Sequence, residues 1–117
     1  MARLDSPEML QALGNIENGN YSAAVETLVP LARAANPKAQ CNLANLYHFG
    51  WGVSVDGKKA VELYLRVAEQ NISEGHLSGL AYNNLATIYV TGLPGMEPDS
   101  KRAAEFSARA RELGFET

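Results

Sequence analysis

The chain has 117 residues, of which 46% are hydrophobic and 20% are charged, a composition that fits one soluble globular domain. Its net charge of −3 argues against a nucleic-acid partner, which a basic face would attract. No apolar run approaches the roughly 20 residues of a membrane span, so no membrane partner is predicted. The single Cys41 cannot form an internal disulfide, so the fold does not depend on an oxidising compartment.

The N-terminal residues 1–8 lack the apolar core of a signal peptide. This favours a cytoplasmic protein. The alternative is a periplasmic mature form from which a signal sequence has been removed.

The first two predicted helices lie between residues 6 and 35. Ser6 followed by Pro7 indicates a helix start, because serine caps free amides and proline suits the first helical position. The run 18–20, Asn-Gly-Asn, ends this helix. A second helix is predicted from about Tyr21. Pro30 lies inside it and is expected to bend it, because proline removes a backbone hydrogen bond.

Four further helices follow from the same kind of signal. Asn36 begins a third helix that ends at Gly50, and Asp56 caps a fourth. A fifth helix is predicted from about Ser73, and a sixth begins at Asp99. No stretch alternates apolar and polar residues as a strand does. The sequence therefore predicts a single domain of three helical hairpins, at about residues 6–35, 36–72 and 73–114.

The second and third hairpins repeat one another. Ala39 and Ala81 lie 42 residues apart (39 to 81), and Asp56 and Asp99 lie 43 apart (56 to 99) because the later turn is longer. A period in this range indicates stacked helical hairpins, an architecture that usually binds other proteins. The matched pairs are Ala39 and Ala81, Leu43 and Leu85, Ala44 and Ala86, Tyr47 and Tyr89, Gly50 and Gly92, Asp56 and Asp99, and Ala60 and Ala103.

These residues resemble the Sel-1-like repeat, a relative of the tetratricopeptide repeat, with the pattern A-x-x-x-L-[GA]-x-x-Y-x-x-G-x-G-V-x-x-D-x-x-K-A. Residues 39–60 fill every position of it, whereas 81–103 match less closely because the turn at 92–96 is longer and Met96 replaces Val. Residues 19–24 look more like an ordinary tetratricopeptide turn. The resemblance implies an all-α, right-handed α-solenoid of three antiparallel hairpins, with the first helix of each hairpin lining a concave face.

Five residues of the matched repeat have clear structural roles. Leu43 and Tyr47 lie one turn apart and are expected to fill the seam between paired helices. Gly50 and Gly52 are expected to adopt positive φ where the chain reverses. Val53 is expected to lie under this turn as an apolar plug.

Two departures from the repeat pattern matter. The link around residues 71–80 is longer than its counterpart, so it is either an extended fifth helix or an inserted loop. No helix follows the sixth one to cover its apolar face. That open end predicts weak self-association, or a different partner, through the last helix. The residues concerned are Ala103, Phe106, Ala110 and Leu113.

Pattern positions that packing does not require are candidates for contact with a partner. The amide side chains among them offer both a donor and an acceptor, and so suit a peptide backbone. The alternative is an ordinary solvated polar face. The candidates are Cys41, Asn45 and His48 on the third helix, and Asn83, Thr87 and Val90 on the fifth. Asn84 is a further amide beside them.

Phe49 and Trp51 stand where the repeat pattern tolerates polar residues. Exposed aromatic side chains at a turn are typical anchors of an interface. The sequence therefore predicts that both contact a partner. The alternative is that they fold back over Val53 or pack against the neighbouring turn.

The sequence predicts no catalytic residue, no metal site and no cofactor. His48 and His76 have no other metal ligands at the required spacing, and no base is placed beside Cys41. The predicted function is therefore a non-catalytic protein–protein interaction module, a small bacterial adaptor or scaffold. The alternatives are an immunity or antitoxin-type protein that blocks a toxin and, from a different class, an enzyme.

Overall fold

The computed structural model describes residues 6–70, 72 and 76–115, which form six α-helices. Each helix packs against the next one along the chain, and α3 also contacts α5. Within the described ranges there is no strand, only an isolated bridge between Leu93 and Met96. The predicted all-α solenoid is confirmed. The helices are α1 (Pro7–Glu17), α2 (Tyr21–Arg33), α3 (Pro37–Phe49), α4 (Gly57–Glu69), α5 (Leu77–Thr91) and α6 (Ser100–Glu112).

Side-chain oxygens cap four of these helices, as the sequence predicted. The Ser6 hydroxyl accepts a hydrogen bond from the Met9 N–H at 3.2 Å. The Asn36 amide oxygen and the carboxylates of Asp56 and Asp99 accept backbone N–H groups in the same way at α3, α4 and α6. Each cap satisfies donors that the first turn of a helix leaves without a partner.

The link before α5 is tied to the preceding helix by a serine. The Ser78 hydroxyl accepts the Ile72 N–H at 2.6 Å and donates to the Val67 carbonyl at 3.0 Å. Helix α5 begins at Leu77, later than the predicted start near Ser73, which lies outside the described residues. Residues 77–80, left open as helix or loop, are therefore helical.

The core consists of two clusters that share the side chains of Tyr47 and Leu63. One lies among α1, α2 and α3, and the other among the helices from α3 to α6. Leu43 is 4% exposed and Tyr47 is half-buried, which confirms the predicted seam. Val53 packs against the first cluster under the turn after α3, as expected. Helix α2 runs unbroken through Pro30.

The last helix turns most of its apolar face onto α5, so the expectation of an uncovered face there is largely wrong. Ala103 and Ala110 are 6% and 0% exposed. The Phe106 ring lies against Tyr82 and Tyr89, with ring centroids 6.0 and 5.7 Å away. Burial of Ala110 removes it from any contact with a second molecule.

Residues after α6 cover part of the end that the sequence left open. Gly114 has a φ of 87° and reverses the chain, so that the Phe115 N–H donates to the Ala110 carbonyl at 2.9 Å. The Phe115 ring lies against Gly79, where an added Cβ would be 2.9 Å from it. Leu113 remains 43% exposed. Self-association through this end stays a prediction and now rests on Leu113.

Two turns pack directly on the helix starts of the preceding hairpins. Gly50 and Gly52 have φ angles of 73° and 77°, confirming the predicted positive values. A Cβ on Gly52 would lie 2.7 Å from the Tyr21 carbonyl carbon at the start of α2. In the next repeat, the Gly57 N–H at the start of α4 donates to the Pro94 carbonyl at 2.8 Å. This contact sets how closely the hairpins stack.

The close approach at Gly52 gives a first prediction. Gly19 has nearly the same φ, 78°, but no atom lies within 4 Å of an added Cβ. Gly19→Ala should therefore cost only the left-handed backbone penalty, about 1 kcal/mol. Gly52→Ala should cost a further ~1–3 kcal/mol from overpacking against Tyr21. Denaturant unfolding of both variants measures the difference. Equal losses of unfolding free energy in the two variants would show that the turn can move away from Tyr21 without cost.

The second prediction concerns the seam. Leu43→Ala should lower the free energy of unfolding by about 2–5 kcal/mol, because it leaves a cavity beneath α2 and α4. Leu10→Ala is the matched control, since the Leu10 side chain is 55% exposed and its loss should cost less than about 0.5 kcal/mol. Denaturant melts measure both. A small loss for Leu43→Ala would contradict the observed packing.

Candidate functional site

Four aromatic rings form a continuous stack at the end of α3. Trp51 stacks on Tyr21 of the preceding hairpin at 5.5 Å and on Phe49 at 5.1 Å. The Phe49 ring lies in turn on His48 at 4.3 Å, with an interplanar angle of 10°. Phe49 is 51% exposed and Trp51 43% exposed. The two rings thus combine a packed face with a solvent-accessible face.

A short hydrogen-bond chain holds the inner end of this stack. The Tyr64 hydroxyl donates to the Asn45 amide oxygen. Tyr64 has only one hydroxyl hydrogen, so its 3.2 Å contact with His48 requires the His48 Nδ1–H to donate. The hydrogen bonds therefore fix the His48 tautomer and hold its ring beneath Phe49.

Burial shifts the ionisation of the groups in this part of α3. It lowers the pKa of His48, because a charged ring is poorly solvated there. It raises the pKa of the Cys41 thiol to about 11, and it also raises the pKa of Tyr64. Near neutral pH the three groups are therefore uncharged.

Two of the residues predicted to contact a partner are buried. Cys41 is 2% exposed because it belongs to the core cluster formed with α4 and α5, and His48 is 8% exposed because its ring packs against Tyr64 of α4. Neither offers enough surface for direct contact, which corrects the expectation for them. Asn45 is half-buried, and its amide oxygen is occupied by Tyr64.

The predicted residues on α5 are more accessible. Thr87 is exposed, and Val90 is 65% exposed. The Thr87 hydroxyl donates to the Asn83 carbonyl at 3.1 Å. The side-chain amides of Asn83 and Asn84 are half-exposed and have no hydrogen-bond partner among the described residues. Within the described residues, these two amides therefore have unused hydrogen-bond donors and acceptors.

The surface formed by α3 and α5, the first helices of the second and third hairpins, is nearly uncharged. Helix α5 contains no Asp, Glu, Lys or Arg, and α3 contains only Lys38. The second helices carry most of the charge and are held apart by grooves, whereas α3 packs on α5. Helices α3 and α5 therefore line the shorter, concave side. We call the accessible part of α3 and α5 (Asn45, Phe49, Asn83, Asn84, Thr87 and Val90) the concave face.

Sequence reasoning missed the contributions of Tyr21 and Tyr64. Tyr64 contacts His48 from a different helix, and no pattern within either helix predicts that contact. For Tyr21 a signal exists. When the N-caps Asn20 and Asp56 are aligned, Tyr21 and Gly57 occupy equivalent positions. The turn of the third hairpin packs on Gly57, so the alignment predicts that the turn of the second hairpin packs on Tyr21.

The described part of the chain contains neither a cluster of metal ligands nor a helix suited to span a membrane. No group of three or more His, Cys, Asp or Glu side chains lies close enough to hold a metal ion within residues 6–70, 72 and 76–115. In the same part of the chain, no helix is long and apolar enough to cross a membrane.

Comparison with known proteins identifies the repeats. The family model described as "Sel1 repeat" matches residues 37–72 and again residues 79–115. Together the two matches cover more than half of the chain. No curated protein matches the chain.

Two solved structures of bacterial proteins are similar to this chain. One is c5321, a protective antigen of uropathogenic Escherichia coli with an SLR fold, at 29% identity and a TM-score of 0.75 over 92% of this chain. The other is a Sel1 repeat protein from Oxalobacter formigenes, at 27% identity and a TM-score of 0.63 over 79% of this chain. This chain spans only 22% and 35% of their respective lengths.

The buried His48 gives a third prediction, on pH. Because burial lowers the pKa of His48, the unfolded chain takes up this proton at a higher pH than the folded protein does. The contribution of the neutral His48 ring to the free energy of unfolding is therefore complete above about pH 6.5, which is the pKa of histidine in the unfolded chain. It is lost as the pH falls below that value. For one proton the slope is at most about 1.4 kcal/mol per pH unit.

Denaturant unfolding between about pH 7.5 and 5.5, where carboxylates stay largely ionised, tests this. His48→Gln should flatten the slope, because it removes the buried ring that takes up the proton. A wild-type stability independent of pH over this range would contradict the prediction.

Proposed function

The chain belongs to the Sel1 repeat family, whose members are generally protein–protein interaction modules, and we propose that it binds an extended polypeptide segment along its concave face. The observation that carries the proposal is that two helices of different surface chemistry pack on each other. Helix α5 has accessible amide and hydroxyl groups, and it contacts α3, which ends in the exposed aromatic ring of Phe49. The polar groups of α5 suit the backbone of a bound segment, and the aromatic surface suits one of its apolar side chains.

The amides suit the backbone of the bound segment. A side-chain amide pairs with a peptide group as both donor and acceptor, whatever the sequence of the peptide. Asn83 and Asn84 have no hydrogen-bond partner within the described part of the chain, so binding breaks no hydrogen bond of theirs. The uncharged face also avoids the cost of desolvating ions.

The aromatic stack suits an anchoring side chain. Phe49 is held between His48 and Trp51, so little rotamer freedom remains to be lost on binding. Truncation of Trp51 should also weaken its packing on Tyr21, so stability and affinity would fall together. Phe49 is therefore the cleaner position for testing the interface.

The proposal includes no catalysis. Cys41 is the nucleophile most readily suspected from the sequence, and its raised pKa keeps it as a protonated thiol at neutral pH. The solvent also has almost no access to it, at 2% exposure.

Within protein binding, we propose an adaptor or scaffold role. A backbone-directed concave face tolerates different bound sequences, which favours several partners over one. The alternative, an immunity or antitoxin-type protein, requires a single toxin. Quantitative affinity purification from the native organism separates these roles: several substoichiometric partners indicate an adaptor, and one partner at a one-to-one ratio indicates immunity.

The fourth prediction tests the concave face directly. Peptides selected from a random phage-displayed library on the immobilised protein are titrated while the fluorescence of Trp51, the only tryptophan, is recorded. Phe49→Ala should weaken binding by about 2 kcal/mol, roughly 30-fold, because it removes the anchor. Asn84→Ala should weaken it by about 1 kcal/mol, because one hydrogen-bonding amide is lost.

Leu10→Ala is the matched control, since Leu10 is a similarly exposed apolar residue on α1, outside the concave face. It should leave the affinity within about twofold of wild type. Thermal melts check that Phe49→Ala and Asn84→Ala remain folded. Unchanged affinity for both concave variants would contradict the proposal.

A further inference from the structure

Two grooves lie on the opposite, convex side of the protein, each between second helices. The groove between α2 and α4, here the α2–α4 groove, has a volume of about 300 Å³. The groove between α4 and α6, the α4–α6 groove, has a volume of about 460 Å³. Neither belongs to the concave face proposed above. The floor of the α2–α4 groove is formed by Val29, Leu43, Tyr47 and Leu63.

The two grooves are related by the repeat but differ in charge. Counting from the helix caps Asn20 and Asp56, Arg33 at the end of α2 corresponds to Glu69 at the end of α4 (13 residues on in each case). Arg33 lines the first groove and Glu69 the second. This position therefore carries opposite charge in two otherwise similar sites.

The remaining charges increase the contrast. The α2–α4 groove has Arg33, Lys59 and Arg66 against the single carboxylate of Glu62. The α4–α6 groove has one arginine against two carboxylates. The first groove is thus locally cationic in a protein whose net charge is −3, and the second is locally anionic.

Two of the cations in the first groove are available for a ligand. Arg66 pairs with Glu62 at 3.2 Å, but no carboxylate of the described residues forms an ion pair with Arg33 or Lys59. The Lys59 ammonium lies 5.2 Å from the centre of the Tyr47 ring, which holds it above the apolar floor. Cationic groups therefore stand at the rim of an apolar groove.

We propose that the α2–α4 groove binds an acidic segment of a partner polypeptide, in which a Leu or similar apolar residue is flanked by Asp or Glu. The apolar side chain packs on Val29, Tyr47 and Leu63, while the flanking carboxylates pair with Arg33 and Lys59. Opposite charges at the rim steer the segment to this groove and away from its anionic counterpart.

The shape favours a polypeptide over a small free acid. A small-molecule site usually buries most of its ligand, whereas this groove is open and has an exposed rim, with Arg66 52% and Glu62 62% exposed. Its volume is at the lower end for small-molecule sites and suits one or two inserted side chains. The remainder of the segment lies across the rim.

The test uses the full chain with isotopically labelled Leu and Val methyl groups and a capped peptide, Gly-Glu-Leu-Glu-Gly. Its neutral counterpart is Gly-Gln-Leu-Gln-Gly. The acidic peptide should shift the methyl signals of Val29 and Leu63, and added salt should reduce these shifts. Leu65 lines the α4–α6 groove and is the internal control, whose signal should stay in place.

Reciprocal charge exchange provides the matched variants. Arg33→Glu should weaken peptide binding at least about tenfold, which corresponds to about 1.4 kcal/mol. Glu69→Arg should leave the first groove unchanged and bring binding to the second, seen as a new shift of Leu65. Both residues are exposed at helix ends, and melts verify that both variants fold.

Three results would overturn the proposal: equal binding of the neutral peptide, no effect of Arg33→Glu, or no methyl shift in this groove at millimolar peptide. The free acid glutarate, used as a competitor, should displace the peptide only weakly. Displacement at equal concentration would identify a small-acid site instead. None of these results bears on the concave face, whose probes are Phe49 and Asn84.

Discussion

The close contact between a turn and the start of the preceding second helix is the constraint on which the rest of this structure depends. At Gly52 the backbone touches Tyr21 so closely that a Cβ would lie 2.7 Å away. At Gly57 the equivalent contact includes a hydrogen bond to Pro94. Because these contacts fix where α2 and α4 begin relative to the turns, they set the spacing of the hairpins. The aromatic stack and the convex grooves both follow from that spacing.

The same contact explains why the exposed aromatic rings are rigid. Trp51 sits beside Gly52 and therefore meets the Tyr21 ring, while Phe49 rests on His48, which is hydrogen-bonded to Tyr64. The stack thus runs from solvent into the core. A rigid aromatic surface loses little conformational entropy when a partner binds, which makes it a favourable anchor.

The distribution of charge gives the protein two chemically different sides. Helices α3 and α5 pack on each other and present amides, hydroxyls and apolar groups, whereas the second helices bear most of the charges and leave grooves between them. An uncharged concave side suits backbone recognition, and charged convex grooves suit selection by charge. Arg33 and Glu69 occupy equivalent positions at the ends of α2 and α4, so the two grooves differ in charge at a position that the packing leaves exposed. Two independent contacts on one partner, or two partners at once, are compatible with this arrangement.

The sequence by itself determined the helices, their caps and the repeat. Those features depend on local chemistry: Asn36 and Asp56 bond to amides within three residues, and Gly52 takes a φ that its own backbone allows. The candidate site was predicted only in part. Phe49 and Trp51 are exposed as expected, but the repeat pattern did not show that Cys41 and His48 face inward.

Tertiary structure decided these remaining points because they depend on residues from other hairpins. Tyr64 buries His48 and Cys41 from α4, and Tyr21 reaches Trp51 from α2. The chain end behaves likewise, since Phe115 covers α5 only after Gly114 reverses the backbone. A pattern along the chain records which side chains can be buried, but the packing of distant segments determines which of them meet.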